Sequence, residues 1–201
     1  ILIASFSMVL SINYKRFLAY SSIEHTGLTC LGLALGPLGI FAALLHMINH
    51  GLAKSMLFLL SGRILHRYQT TEIAKVTNLL AVMPWTGGLF AVGVLAIIGL
   101  PPFGLFISEF ALIRAGFDAG YPWLMGAVLV LLAVAFIAMI RVLHGMLYGM
   151  AQAEMEVERG EPDAWRVRPL LLCAGLLLIL GLTLPAPLMT LLEQSAAIIA
   201  K

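Results

Sequence analysis

Three ionisable side chains share one face of an otherwise apolar helix. His46, His50 and Lys54 lie in the run HMINHGLAK, at positions i, i+4 and i+8, which places them along one stripe. Neighbours on the stripe are about 6 Å apart along the axis, a gap that one or two water molecules bridge. Because histidine titrates near neutral pH, such a row predicts proton transfer along hydrogen-bonded water. The simpler interpretation, hydrogen bonds to neighbouring helices, suits any one of them alone.

Two acidic residues and one more histidine also lie in apolar surroundings. Glu109 follows the helix-breaking run GLPPFG, and we expect it to pair with Lys54. The alternative is that Glu109 caps the half-helix that follows the break. Glu24 and His25 lie within another predicted helix, where a role in the proton relay and a role in local packing are equally open.

The remaining polar candidates are weaker. Arg141 and His144 lie one turn apart near a helix end, where reaching towards the membrane surface explains both; they are secondary relay candidates. A zinc site on His46 and His50 is rejected, because neither an intervening glutamate nor a nearby cysteine accompanies them. No phosphate-binding or nucleophile motif occurs, so we expect neither a catalytic centre nor a cofactor in this chain.

Composition places these groups in a membrane. The 201 residues are 61% hydrophobic and 11% charged, and the mean hydropathy is +1.02. A soluble domain of this size must face water and cannot hide so much apolar surface, whereas a bundle of helices in a bilayer faces lipid. The predicted fold is therefore an all-α integral membrane bundle. The net charge of +2 gives no indication of nucleic-acid binding.

The helices follow from the apolar runs and their breaks. After a short segment, 1–12, helices are predicted at about 17–36, 38–63, 122–148 and 169–185, with an apolar tail that continues the last helix or lies at the interface. Because 1–12 is too short to span, 1–201 is interpreted as one transmembrane domain from the C-terminal part of a longer protein. The charge-dense stretch 151–168 is predicted to be a cytoplasmic loop.

A broken helix is predicted at 84–117. As one helix it would measure about 50 Å, against a hydrocarbon core of about 30 Å. The break GLPPFG at 99–104 removes two backbone donors. We therefore predict one span made of two half-helices; the alternative is a helix, an ordinary turn and a second short helix. Counting this segment once puts three basic clusters on the same side, predicted to be cytoplasmic: Lys15/Arg16, Arg63/Arg67/Lys75 and Arg159/Arg166/Arg168.

Three segments of the sequence resemble segments of a known protein family. KRFLAYSSIEHTG at 15–27, HMINHGLAK at 46–54 and GLPPFGLFISEF at 99–110 closely resemble the antiporter-like subunits of respiratory complex I, Mrp cation/proton antiporters and membrane-bound [NiFe] hydrogenases, and are nearest to hydrogenase-4 component F. The resemblance implies the second inverted repeat of an antiporter-like fold plus its terminal helices. It also implies that His25, His46, His50, Lys54 and Glu109 lie on a hydrated axis halfway through the membrane.

The expected function is proton translocation by a subunit of a redox-driven, membrane-bound hydrogenase of the hydrogenase-4 or formate hydrogenlyase type. The expected partners are lipid, other membrane subunits and a peripheral redox module, and the expected location is the inner (cytoplasmic) membrane. Alternatives are a complex I or Mrp-type Na⁺/H⁺ antiporter subunit, a subunit for proton-coupled inorganic-carbon uptake, and a structural membrane anchor. An intramembrane enzyme would need a nucleophile or metal constellation that the sequence lacks.

Overall fold

The computed structural model describes residues 1–149, 158–161 and 164–201, and these residues form helices and short connections. This confirms the predicted all-α membrane bundle. The α-helices are α1 (Leu2–Leu10), α2 (Tyr14–Leu33), α3 (Gly36–Tyr68), α4 (Leu79–Val82), α5 (Pro84–Ile97), α6 (Gly104–Asp118), α7 (Pro122–Tyr148), α8 (Arg168–Leu182) and α9 (Ala186–Ile199).

Several helix ends differ from the prediction by a few residues, and two of them show the cause. Helix α2 begins at Tyr14 rather than 17, because the side chain of Asn13 caps it by accepting hydrogen bonds from the backbone N–H groups of Lys15 and Arg16. Helix α3 continues to Tyr68, five residues beyond its predicted end. In both places polar residues were interpreted as a loop, although a helix that leaves the membrane can carry polar residues on its last turns.

Helices α3 and α7 are each long and apolar enough to cross a membrane by themselves. Helices α8 and α9 would form a third span if taken together, and they meet at a bend of 73°. The bend follows from the sequence, because Pro185 and Pro187 flank the start of α9 and interrupt the backbone hydrogen-bond ladder. The apolar tail after 185 is therefore a separate helix.

Helices α5 and α6 together cross the bundle once. Near the start of α5, the backbone N–H of Thr86 donates a 2.8 Å hydrogen bond to Glu161 at the basic end. In α6, Leu112 packs with Leu28 and Leu35 in a small core at the opposite end. This arrangement agrees with the prediction of two half-helices in one span, which stays a prediction, as does the alternative of an ordinary turn between two helices.

The basic clusters lie at one end of the bundle. The backbone N–H of Tyr14 donates to the carbonyl of Thr71, which joins the start of α2 to the segment after α3. Arg63 forms a 2.9 Å ion pair with Glu161, so the segment 158–161 packs against the end of α3. The prediction that the basic clusters lie on the same side is thus confirmed, and the cytoplasmic orientation of that side stays a prediction. Residues 150–157 and 162–163 of the predicted charged loop lie outside the described residues.

The apolar core is divided into two parts along the bundle axis. On α2, the large core at the basic end reaches Leu18 and the small core begins at Leu28. On α6, the corresponding residues are Leu105 and Leu112. The residues between the two cores include most of the polar side chains that the sequence singled out. The break between α5 and α6 lies at the same level.

Candidate functional site

A polar layer separates the two apolar cores. Its members are Ser21, Glu24 and His25 of α2, His46, Asn49, His50 and Lys54 of α3, and Ser108 and Glu109 of α6. Lys54 is 6% exposed and the side chain of Glu109 is 13% exposed, so neither faces lipid. The structure therefore brings all five primary site predictions, together with Glu24, into the interior of the bundle.

The break between α5 and α6 positions Glu109. Gly99 has a φ of +68°, a conformation that favours glycine, and a Cβ atom there would overlap the carboxylate of Glu109. Gly104, the first residue of α6, leaves room for the side chain of Asn49 in the same way. Glu109 lies in the second turn of α6 and the N-cap residue is Phe103, so the interpretation of Glu109 as a cap in the first turn is wrong.

His25 is the junction of the polar layer. Its Nδ1 lies 3.0 Å from Nε2 of His46 and 3.9 Å from Oε1 of Glu109. Its Nε2 lies 3.5 Å from Oε2 of Glu24. The His50 ring packs beside it, with the two ring centroids 5.0 Å apart. One imidazole on α2 thus contacts two carboxylates and both histidines of α3.

One pair of neutral tautomers satisfies the hydrogen bonds between the two rings and Ser108. Ser108 donates its hydroxyl hydrogen to the carbonyl of Leu105, so its oxygen accepts from Nδ1–H of His46, 3.0 Å away. Nε2 of a neutral His46 is then an acceptor and receives the Nδ1–H of His25. Nε2 of a neutral His25 is an acceptor in turn, and it faces Glu24. With these tautomers the chain has one polarity, from Glu24 through His25 and His46 to Ser108.

Lys54 lies at the basic end of the layer. Its Nζ donates to the carbonyl of Leu18 at 2.6 Å and to the hydroxyl of Ser21. No ion pair joins it to Glu109 within the part of the chain that the structure describes, so the predicted Lys54–Glu109 pair is wrong. The reason is axial distance. Lys54 lies about 12 Å along α3 from His46, whereas Glu109 contacts His25 at the level of His46.

The secondary candidates of α7 lie outside the polar layer. Arg141 and His144 are exposed. Arg141 donates to the carbonyl of Val9, and the ring of His144 packs 5.5 Å from that of Tyr148. These contacts are near the basic end, where long or amphipathic side chains reach polar surroundings. The structure therefore brings Glu24 to the network but not Arg141 or His144.

Three members of the layer were missed by the sequence analysis: Ser21, Asn49 and Ser108. Each lies within three residues of an ionisable group on its own helix, and this spacing was the available signal. Asn49 donates to the carbonyl of Leu45, while its Oδ1 is buried with no hydrogen-bond partner. Among the described residues, three more side-chain atoms are buried without a hydrogen-bond partner: Oε1 of Glu24, Nε2 of His50 and Oε1 of Glu109. The layer thus has buried polar atoms that are free to bond.

A small cavity of about 10 Å³, the size of about one water molecule, adjoins the junction. Glu24, His25 and Glu109 line it on one side, and apolar residues of α5 and α7 line the other. Polar groups in a cavity wall are the condition under which proteins hold buried water. The arrangement is suited to receiving and releasing protons at two carboxylates that share one histidine.

The close fit of Gly99 and Glu109 makes a testable prediction. Gly99→Ala should displace the Glu109 carboxylate, because the new methyl group overlaps it, and should strain a backbone of positive φ by about 1 kcal/mol or more. We expect lower thermal stability of the purified protein and weaker proton flux in proteoliposomes.

The matched control is Gly88→Ala, on the preceding half-helix α5, where a Cβ meets nothing within 4 Å. That change should be neutral or slightly stabilising, since alanine favours helix. Equal effects of the two substitutions would contradict the proposed fit of Gly99 against Glu109.

The family follows from comparison with known proteins. The model of the family described as NADH:quinone oxidoreductase/Mrp antiporter, transmembrane, matches residues 1–135. The chain belongs to this family. The match includes every residue of the polar layer.

Curated relatives come from more than one branch of the antiporter family. The chain is 41% identical over 138 residues to a "Hydrogenase-4 component F homolog" of Methylacidiphilum infernorum, a match that covers 68% of the chain and 29% of that relative. It is 35% identical over 190 residues to "NADH-quinone oxidoreductase subunit N" of Desulforudis audaxviator, covering 90% of the chain and 37% of that relative. The chain thus spans about a third of the length of these relatives.

A solved structure with a similar fold is the membrane-bound sulfane sulfur reductase, described as an archaeal respiratory membrane complex. One of its chains matches with a TM-score of 0.88 and 31% identity, over 98% of this chain and 40% of that one. This agrees with the antiporter-like fold that the resemblance implied.

Proposed function

We propose that this chain conducts protons across the membrane as part of an antiporter-like subunit. The observation that carries the proposal is the chain of contacts from Glu24 through His25 and His46 to Ser108, which is hydrogen-bonded from His25 onward and has Glu109 beside it. Ionisable groups at this depth each cost roughly 2.5 to 3.5 kcal/mol on insertion scales, so a cluster of them requires a compensating role. Proton transfer between adjacent titratable groups supplies that role.

The chemistry at His25 follows from the assigned hydrogens. A proton that reaches Nε2 of His25 from Glu24 makes the ring an imidazolium. The ring then releases its Nδ1 proton to Nε2 of His46, or to Oε1 of Glu109 after a small movement. Either transfer returns His25 to the neutral form with the proton moved across the ring. Lys54, on the basic side, supplies a positive charge whose position or protonation biases the exchange.

We further propose that the complex is redox-driven and of the membrane-bound hydrogenase type. The 41% identical relative is named for hydrogenase-4, and the motifs of the polar layer resemble that branch. A peripheral redox module, other membrane subunits and an inner-membrane location belong to this proposal. Subunit N of NADH-quinone oxidoreductase matches more of the chain at 35% identity, which makes a quinone-coupled complex the second candidate. The metal content and subunits of the purified complex distinguish the two.

The opposing function is a structural anchor, in which the polar residues only hold helices together. We expect Lys54→Ala in the complete complex to leave assembly intact and to reduce proton flux in proteoliposomes by about tenfold or more. His66→Ala is the matched control, since His66 is exposed near the end of the same helix. It should conduct like the unmodified complex. A Lys54→Ala complex that assembles and pumps normally would favour the anchor.

A further inference from the structure

One nitrogen from each of two histidines and one carboxylate oxygen converge in the polar layer. The ligand atoms of His25, His46 and Glu109 all lie within 4.8 Å of one another. The two facing imidazole nitrogens are 3.0 Å apart, and Oε1 of Glu109 is 3.9 Å from Nδ1 of His25. Ligands of a tetrahedral zinc ion, each about 2.0 to 2.1 Å from the metal, are about 3.3 Å apart. The three atoms are therefore close to this geometry without rearrangement of the helices.

In each ring, the nitrogen that faces away from the proposed ion already has a polar neighbour. Nδ1 of His46 faces the Ser108 hydroxyl, and Nε2 of His25 faces the Glu24 carboxylate. A ligating histidine usually donates its other N–H to such a partner, which fixes the ring and strengthens it as a ligand. The tautomer of His46 assigned above already leaves Nε2 free to ligate. His25 needs its proton moved from Nδ1 to Nε2, where Glu24 would accept it.

The third ligand and the charges of the neighbouring carboxylates also suit a divalent ion. Oε1 of Glu109 is buried with no hydrogen-bond partner in the described chain, and it faces His25. A divalent ion at this point would meet the two negative charges of ionised Glu109 and Glu24, which offset its charge in a low-dielectric interior. Two imidazoles and one carboxylate suit zinc-like ions better than Na⁺ or Mg²⁺, which favour oxygen ligands.

We propose that His25, His46 and Glu109 form a binding site for a zinc-like divalent ion, with Glu24 and Ser108 as supporting partners. Such an ion would act as an inhibitor rather than a cofactor, because it occupies the lone pairs through which His25 and His46 exchange a proton. The inhibition rests on the proposed function, whereas the binding does not. This site differs from the His46–His50 pair rejected above, since it takes its ligands from three helices.

The test uses the full-length subunit in lipid nanodiscs, with Zn²⁺ as the probe and equilibrium dialysis of radioactive zinc as the readout. Ser108→Ala should weaken binding by about 10- to 100-fold, as expected for loss of a supporting partner. His46→Gln and Glu109→Gln should weaken it further, because each removes a ligand. His66→Gln, which changes an exposed histidine of α3, should bind like the unmodified protein. Equal affinity in all four variants would overturn the proposal.

A second measurement needs no substitution in the site. X-ray absorption at the zinc edge of the loaded, unmodified subunit should give a shell of nitrogen and oxygen with two imidazoles. A sulfur-containing shell, or a shell with fewer than two imidazoles, would overturn the proposed site. Proton flux measured without zinc separates the two proposals. If Glu109→Gln loses zinc but conducts normally, the site stands and the proposed role of Glu109 in proton conduction fails.

Discussion

Glu109→Gln is expected to lower proton flux through the complete complex by at least about tenfold while the complex still assembles. Glutamine has nearly the same shape and fits beside Gly99, but it cannot take up or release a proton at neutral pH. Loss of a positioned proton donor or acceptor typically costs about 100-fold or more in an enzyme, and a parallel water path would reduce that cost. Flux is measured as acidification of proteoliposomes, and assembly by the subunits that co-purify.

Glu193→Gln is the matched control, because Glu193 is exposed on α9 and lies outside the polar layer. It should leave flux unchanged. Glu109→Asp keeps the charge but shortens the side chain by one methylene, so it should conduct at an intermediate rate. Normal flux in Glu109→Gln would remove Glu109 from the proton path.

His25→Gln is expected to have an effect of similar size. His25 contacts Glu24, His46 and Glu109, and no other described member of the layer contacts all three. Glutamine offers hydrogen bonds but cannot carry a proton from one side of the ring to the other. We expect a loss of about tenfold or more in proteoliposome flux, with normal assembly.

A double substitution tests whether His25 and Glu109 act in one path. If they do, His25→Gln combined with Glu109→Gln should conduct no worse than either single variant, because residues that act as a unit are not additive. Losses that multiply would indicate two independent paths. His50→Gln should have a smaller effect than His25→Gln, since His50 adjoins His25 by ring packing and its Nε2 has no hydrogen-bond partner among the described residues.

Much of the fold follows from the sequence by simple physical rules. Apolar runs and proline–glycine breaks predict α3, α7 and the two half-helices, because a bilayer requires internally bonded backbone. The stripe of His46, His50 and Lys54 follows from helical spacing alone. The errors at the ends of α2 and α3 have a common cause: side-chain polarity marks where a chain meets water, not where its helix stops.

The partners of the site residues were harder to predict. Spacing places His46 and Lys54 on one stripe of α3 but does not say which residue on α2 or α6 lies opposite. That depends on the axial register of helices, which side-chain packing decides, as where Gly104 admits Asn49. The predicted pair of Glu109 with Lys54 failed for this reason. The structure places His25 at the level of Glu109 and Ser21 at the level of Lys54.

The central claim is that Glu109 and the buried histidines change protonation as the complex turns over. Infrared difference spectroscopy of the working complex measures this directly, through the carboxyl stretch and the bands of isotope-labelled histidine. We expect a carboxyl band that appears and disappears with turnover and is absent from Glu109→Gln, together with imidazole bands that are absent from His25→Gln. A complex that pumps protons while these bands stay constant would contradict the proton path proposed here.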